Sequence, residues 1–308
     1  MMKLTLSNRN FGQTVPVERA VWTTSARGQA GMLEFSHPGA RAEEGGRVER
    51  SEDGEPLFCG YVFEARGDEG PFERVLAYDQ LRYLMQRDTY VFTRSSAGAI
   101  LRTIASERGL ELGDVADTGY ALSLVAENKK LLDILSEALA QTQSVTGREY
   151  LLLDDGGRLC LRDASRCVLP FALKEGSGLL GYEFVRSIEE TVTRVKLTQK
   201  NRGRRSYYVA EDSEGMNRYG TLQRTGAAPA SLGAAGASAQ AQSMLESLKG
   251  PRRSLILRAV GDSRARAGMR VYVELPKEGV AGYFRIERAV HELRGRNGHF
   301  MSLEIQGI

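Results

Sequence analysis

The sequence predicts an α+β chain that is mostly β: strands first, a helical insertion with one hairpin in the middle, then strands again. Three observations carry this. Up to residue 78, and again beyond about residue 180, apolar and polar residues alternate over short runs bounded by Gly, Pro, Asp and Glu. Between these regions apolar residues recur at every third or fourth position, as on one face of a helix. The stretch AYDQLRYLMQRDTYVF, residues 77–92, is where one pattern gives way to the other.

In the first region KLTLS alternates, and GMLEFSHPG ends on His-Pro-Gly, which reads as a turn at His37. GEPLFCGYVFEA and FERVLAY follow as aromatic or β-branched runs. Strands this short, spaced by charged turns, suit a meander or barrel better than a βαβ unit. Asp79 then stands where it can cap a short helix through QLRYLMQ, with Leu81 and Leu84 on one face. SSAGAILRTIASERG puts Ala97, Ile100, Leu101, Ile104 and Ala105 on one helical stripe. Ser95 or Ser96 caps its start, and Gly109 lies just past its end. NKKLLDILSEALAQT does the same with Leu131, Leu132, Leu135, Ala138 and Leu139, Asn128 serving as N-cap. REYLLLDDGGRLCLRD reads as a hairpin about an Asp-Asp-Gly-Gly turn. A cation loop at Asp154 and Asp155 is disfavoured, because the EF-hand spacing and its closing glutamate are missing.

Strands return with TRVKLTQK and SYYVAED, which flank the Arg-rich tip NRGRR, and NRYGTLQRTG follows. A small-residue helix is expected over residues 231–249, stopped by Gly250-Pro251. Its lead, AAPASLGAAGASAQAQ, is rich enough in alanine and glycine to read as flexible. The last strands alternate most cleanly. Met269, Val271, Val273 and Leu275 oppose Arg270, Tyr272 and Glu274; Phe284, Ile286 and Val290 alternate with charges; Met301, Leu303 and Ile305 complete the set. One dry and one wet face per strand implies a sheet closed or covered on one side.

A chain of 308 residues suits two or three domains, and its 42% hydrophobic and 26% charged content is ordinary for a globular protein. A net charge of +3 gives no global argument for nucleic acid. The sequence has no apolar run long enough for a signal peptide or a membrane span, so a cytoplasmic origin is expected. Cys59, Cys160 and Cys167 are too few and too odd in number for a disulfide framework, and their spacing is poor for zinc. G-x-S-x-G, G-x-x-x-x-G-K-[ST] and H-E-x-x-H are all missing, and carboxylates are scattered among lysines and arginines. No enzyme, metal or cofactor is expected. His291 and His299 flank RGRNG and read as cross-strand neighbours or exposed residues rather than half a metal site. The one basic feature is TRVKLTQKNRGRRSYY, which carries Arg194, Lys196, Lys200, Arg202, Arg204 and Arg205, two tyrosines and no acid. It reads as a solvated loop, a phosphate grip, or a contact arm for an acidic partner face. Lys200, Arg202, Arg204, Arg205 and Tyr207 are the candidate partner-contact residues.

GYVFEA followed by VLAYDQLRYLMQRDTYVFTRSSAGAILRTIASERGL is similar to the baseplate hub proteins of contractile phage tails and of Gram-positive defective-prophage particles, the late control gene D group. The likeness continues through TGYAL, LLDILSEALAQT, GREYLLLDDGGRLCLRD, SIEETVTRVKL, RYGTLQ and GDSRARAGMRVYVEL, and so covers most of the chain. The resemblance implies two tail-tube-like β-barrels, at residues 1–78 and 179–308, joined by an inserted α/β region at residues 79–178. It implies a structural homotrimer that adapts a sixfold tail tube protein to a threefold central spike protein, with baseplate wedge or LysM-type tail proteins as further partners. Such a protein is assembled in the bacterial cytoplasm, becomes part of the tail of a virion or phage-tail-like particle, and has no membrane partner in its free state. The lumen is its one implied route to nucleic acid. The family offers no catalytic motif to transfer. Two other readings stand beside it: a peptidoglycan hydrolase of the tail, and a nucleic-acid-binding module using the Arg-rich hairpin.

Overall fold

A computed structural model describes residues 2–8, 12–26, 28–38, 42–52, 54–67, 69–201, 204–229, 231–295 and 298–306. They form two compact units. The first takes the chain up to Tyr182 together with Ile256–Ile305, and the second is built on Glu183–Leu255.

The first unit opens with β1 (Met2–Ser7), β2 (Gly12–Val17), β3 (Ala20–Ser25), β4 (Met32–Pro38), β5 (Arg47–Glu52), β6 (Glu55–Gly67) and β7 (Phe72–Tyr78). Antiparallel pairing is the rule among them. The period-two alternation behaves as the sequence requires. Leu4, Leu6, Val15, Val17, Trp22, Leu33, Phe35, Val48, Phe58, Val62, Val75 and Ala77 turn to one buried side and share a core. His37 is not in a turn. The ladder between β4 and β7 runs on to Pro38, so His37 stays extended and faces Glu73. It is fully buried, with Nε2 3.5 Å from Glu73 Oε2. That oxygen also accepts from Ala42 N at 2.6 Å.

The insertion follows. A 3-10 helix over Gln80–Met85 leads into β8 (Arg87–Ser96), α1 (Ala97–Arg108), β9 (Leu112–Val115), β10 (Ala121–Lys130), α2 (Leu131–Thr146), β11 (Tyr150–Asp154) and β12 (Leu159–Asp163). Ser96 caps α1 by accepting from Ala99 N, and Gly109 closes it in the left-handed region. Asn128 does not cap α2. It lies in a bulge of β10 at φ 48°, and its N–H donates to Thr89 Oγ1. Lys130 takes the N-cap position without a side-chain bond, and Leu131 N donates instead to Gln86 O. The predicted stripes of both helices close a second core with Phe92, Leu122, Leu124, Leu159 and Leu161. Fully buried leucines such as Leu101 and Leu131 each contribute about 1.5–3 kcal/mol to such a core.

β13 (Val168–Lys174) and β14 (Leu179–Ser187) lead toward the second unit. There β15 (Arg194–Asn201) sits between β16 (Arg204–Glu211) and β17 (Gln223–Ala227), antiparallel to the first and parallel to the second. NRYGTLQRTG begins inside α3 (Ser213–Tyr219), which starts where Asp212 Oδ1 accepts from Gly215 N, and it runs on into β17. α4 (Ala234–Leu248) lays Ala237, Ala241 and Leu245 on Val195, Leu197 and Ala210. The alanine-rich stretch is tied rather than loose: much of it is α4 itself, and Gln199 Nε2 donates to Pro229 O and Leu232 O ahead of it.

β18 (Arg252–Val260) carries the chain back, and β19 (Arg270–Leu275), β20 (Val280–Leu293) and β21 (His299–Gln306) complete the first unit. β20 pairs with β3, opposing His291 to Trp22. One antiparallel path therefore runs β21-β20-β3-β4-β7-β6-β5-β1-β2. A bulge between Ile286 and Arg288 shifts the phase of β20, so Ile286, Ala289, His291 and Leu293 point inward. Val290, expected inward, is only half-buried. Among the described residues no helix is long and apolar enough to cross a membrane.

Candidate functional site

The corner at Tyr78-Asp79 is a buried charged junction. β7 ends there, and the Asp79 carboxylate is almost wholly enclosed. Oδ1 accepts from Leu81 N at 3.0 Å and caps the 3-10 helix, while Oδ2 accepts from Gly31 N at 2.8 Å. A Cβ at position 31 would lie 2.3 Å from Asp79 Oδ2, so any larger residue there would push the carboxylate off the Gly31 amide. Gln80 N donates to Asp154 Oδ2 at 3.3 Å, its side-chain amide donates to Gly157 O, and its Oε1 accepts from Glu111 N at 2.9 Å. Asp154 Oδ1 accepts from Gly157 N at 2.7 Å, fixing the hairpin turn that the sequence indicated.

Arg266 reaches this turn from the segment before β19. Its Nη1 donates to Asp155 Oδ1 at 2.8 Å and to Asp154 O at 3.3 Å, and its guanidinium lies 5.3 Å from the centre of the Trp22 ring. Burial and the neighbouring Asp154 charge push Asp79 well above the usual carboxylate range. Burial pushes Asp154 up to about 6, against the pull of the Gly157 and Gln80 amides. Asp155 is also partly buried, yet Arg266 and Arg162 hold it below its ordinary value. A cavity of about 190 Å³ adjoins the junction, lined in part by Asp79, Leu81, Leu132, Ser136, Leu151 and Arg266. Both oxygens of Asp79 and of Asp154 are already engaged by donors. The chemistry of the junction is therefore that of a clasp joining five stretches of chain, not of an acid-base pair open to a substrate.

His291 and His299 do meet across their hairpin, with Nδ1 of the first 2.9 Å from Nε2 of the second. His291 Nε2 lies 2.7 Å from Ala265 O, so it carries the proton there and leaves Nδ1 to accept from His299. Burial holds His291 down at about 4 and lowers His299 too. The pair belongs to the interior. Cys59, Cys160 and Cys167 are buried free thiols, and burial pushes Cys59 up to about 11. Among the described residues no set of three His, Cys, Asp or Glu side chains is arranged to hold a metal ion.

The basic hairpin is formed by β15 and β16. Residues directly opposite share a face, so Lys196 stands with Val209, Thr198 with Tyr207, and Lys200 with Arg205. The other face, with Val195, Leu197 and Gln199, is the one α4 covers. Lys200, Arg205 and Tyr207 are thus brought together on the uncovered face, while Arg204 pairs with Asn201 one step along. Arg202 lies outside the described residues. Lys196 joins the group by setting its ammonium 4.6 Å from the centre of the Tyr207 ring. Period-two spacing with Lys200 was the signal for it. No local signal announces Arg266, whose partner Asp155 is 111 positions away.

Comparison with known structures assigns this architecture to the fold of prophage tail proteins. The 43 kDa tail protein of prophage MuSo2 from Shewanella oneidensis superposes with a TM-score of 0.70 over 98% of each chain, at 14% identity. The E. coli c3393 protein, described as a type VI secretion component with structural similarity to the T4 tail proteins gp27 and gp5, gives 0.59 over 98% of this chain and 76% of its own, at 10% identity. The chain belongs to the YqbQ-like family, whose model matches residues 20–306. Protein XkdQ of the phage-like element PBSX from Bacillus subtilis (strain 168) is 34% identical over 256 residues, covering 82% of this chain and 78% of that protein.

Proposed function

We propose that this protein is the structural baseplate hub of a contractile phage tail or tail-like injection particle. In this reading it is a homotrimer. Residues 1–78 and 179–308 supply two tube-like β bodies per chain, spliced by residues 79–178. Threefold packing then presents six similar bodies to a sixfold tail tube and meets a threefold spike on the other side. Tube, spike and wedge proteins are its partners, and it carries no catalytic centre.

The observation that carries the reading is the agreement of fold with a prophage tail protein over 98% of both chains, together with 34% identity to a protein of a phage-like element. The enclosed carboxylates of the Asp79 junction, each already occupied by donors, support a structural role over a hydrolytic one. Light scattering tests it: a mass three times the 33.9 kDa of the chain is expected, together with co-purification with tube and spike proteins. A strict monomer that joins no particle would sink the assignment.

A further inference from the structure

We propose that the uncovered face of the β15–β16 hairpin docks an extended acidic segment of a partner protein along strand β16. The proposal concerns the surface of a single chain and holds whether or not that chain trimerises.

The charge pattern is the first argument. Lys200 and Arg205 stand directly opposite each other on the uncovered face, and Arg204 adjoins them. Like charges in that position repel. Among the described residues no carboxylate pairs with Lys200, Arg204 or Arg205. The acid that does share this face, Glu211, is bound to Arg194 at 2.9 Å at the far end of the hairpin. The fold thus keeps a repulsion that no carboxylate among the described residues relieves, and an external anion would relieve it.

The second argument is shape. β16 is a terminal strand of its sheet, and six of its eight residues are exposed. A terminal strand offers unpaired backbone groups that an incoming extended segment can continue. Tyr207 and Val209, 55% and 45% exposed, supply an apolar centre beside the cations. Aromatic and cationic residues around an apolar patch are the composition of a protein contact. Single-stranded nucleic acid needs a free aromatic face on which to stack a base. The Tyr207 ring already carries the Lys196 ammonium on one face, which favours a peptide over a nucleotide.

The test uses the full chain and three labelled probes followed by fluorescence anisotropy. They are a dodecapeptide alternating Glu with Val and Thr, its Lys-for-Glu counterpart, and a single-stranded oligodeoxynucleotide of matching charge. The acidic peptide should bind, weaken with added salt and ignore the basic control. Lys200→Glu with Arg205→Glu should reduce its affinity about tenfold or more. Both positions are exposed, so the pair should fold; if it does not, Lys200→Gln with Arg205→Gln should give the same loss at smaller size. No binding of the acidic peptide overturns the proposal, as does binding indifferent to these substitutions. Equal or tighter binding of the oligonucleotide replaces the protein partner with nucleic acid.

Discussion

At the Asp79 junction, carboxylates and a guanidinium are drawn out of water, and each is matched by a donor or counter-charge from a distant stretch of chain. Along the β15–β16 hairpin, Lys200 and Arg205 remain in water, opposite each other and without a match among the described residues. The difference is one of dielectric. In a dry interior an unpaired charge costs several kcal/mol, so only completed networks persist. At the surface a mismatch costs a few tenths, small enough for a fold to carry it without rearranging. Matched charges therefore mark where the molecule holds itself together, and unmatched ones mark where it has capacity for something else.

The largest test of that contrast is Asp79→Ala. It strips the acceptors from Gly31 N and Leu81 N together, and about 3 kcal/mol of stability should be lost in urea unfolding. A loss below about 1 kcal/mol would mean the junction is not a clasp. The next test uses pH. Asp154, raised from 3.8 to about 6, contributes stability that is complete below its unfolded value and lost as pH climbs through about 6. His291, lowered from 6.5 to about 4, contributes stability that is complete above 6.5 and lost as pH falls through about 4. Asp154→Asn should therefore remove a decline on the alkaline side and His291→Gln a decline on the acid side. Their stability-pH curves should tilt in opposite senses by about 3 kcal/mol each. Curves parallel to that of the parent protein would break the interior half of the comparison. The smallest effect belongs to the surface: Arg205→Glu sets an acid opposite Lys200 and should gain about 0.5 kcal/mol in thermal unfolding.

How far all this was legible in the sequence depends on range. Ser96 and Gly109 at the ends of α1, the Asp79 cap and the turn after Asp154 were readable because each rests on contacts a few residues apart. The uncovered hairpin face was readable from alternation alone. Asn128 misled because the bond that fixes it comes from Thr89 on a neighbouring strand, which holds a bulge where a cap was expected. Val290 misled for a related reason: a single extra residue after Ile286 reverses the facing of everything beyond it. The clasp itself was invisible, since Gly31, Asp79, Asp154 and Arg266 carry no shared pattern, and only the completed sheet brings them together.

The pairing of β3 with β20 bears on how the protein is made. A chain leaving the ribosome completes β3 (Ala20–Ser25) long before the neighbour on one side, which arrives only with residues 280–293. Until those residues emerge that strand keeps one flank bare, apolar Trp22 included, and open to pairing with another nascent copy. Truncated or slowly translated forms should accordingly clump, and producing this protein in quantity should reward slow induction and the presence of chaperones.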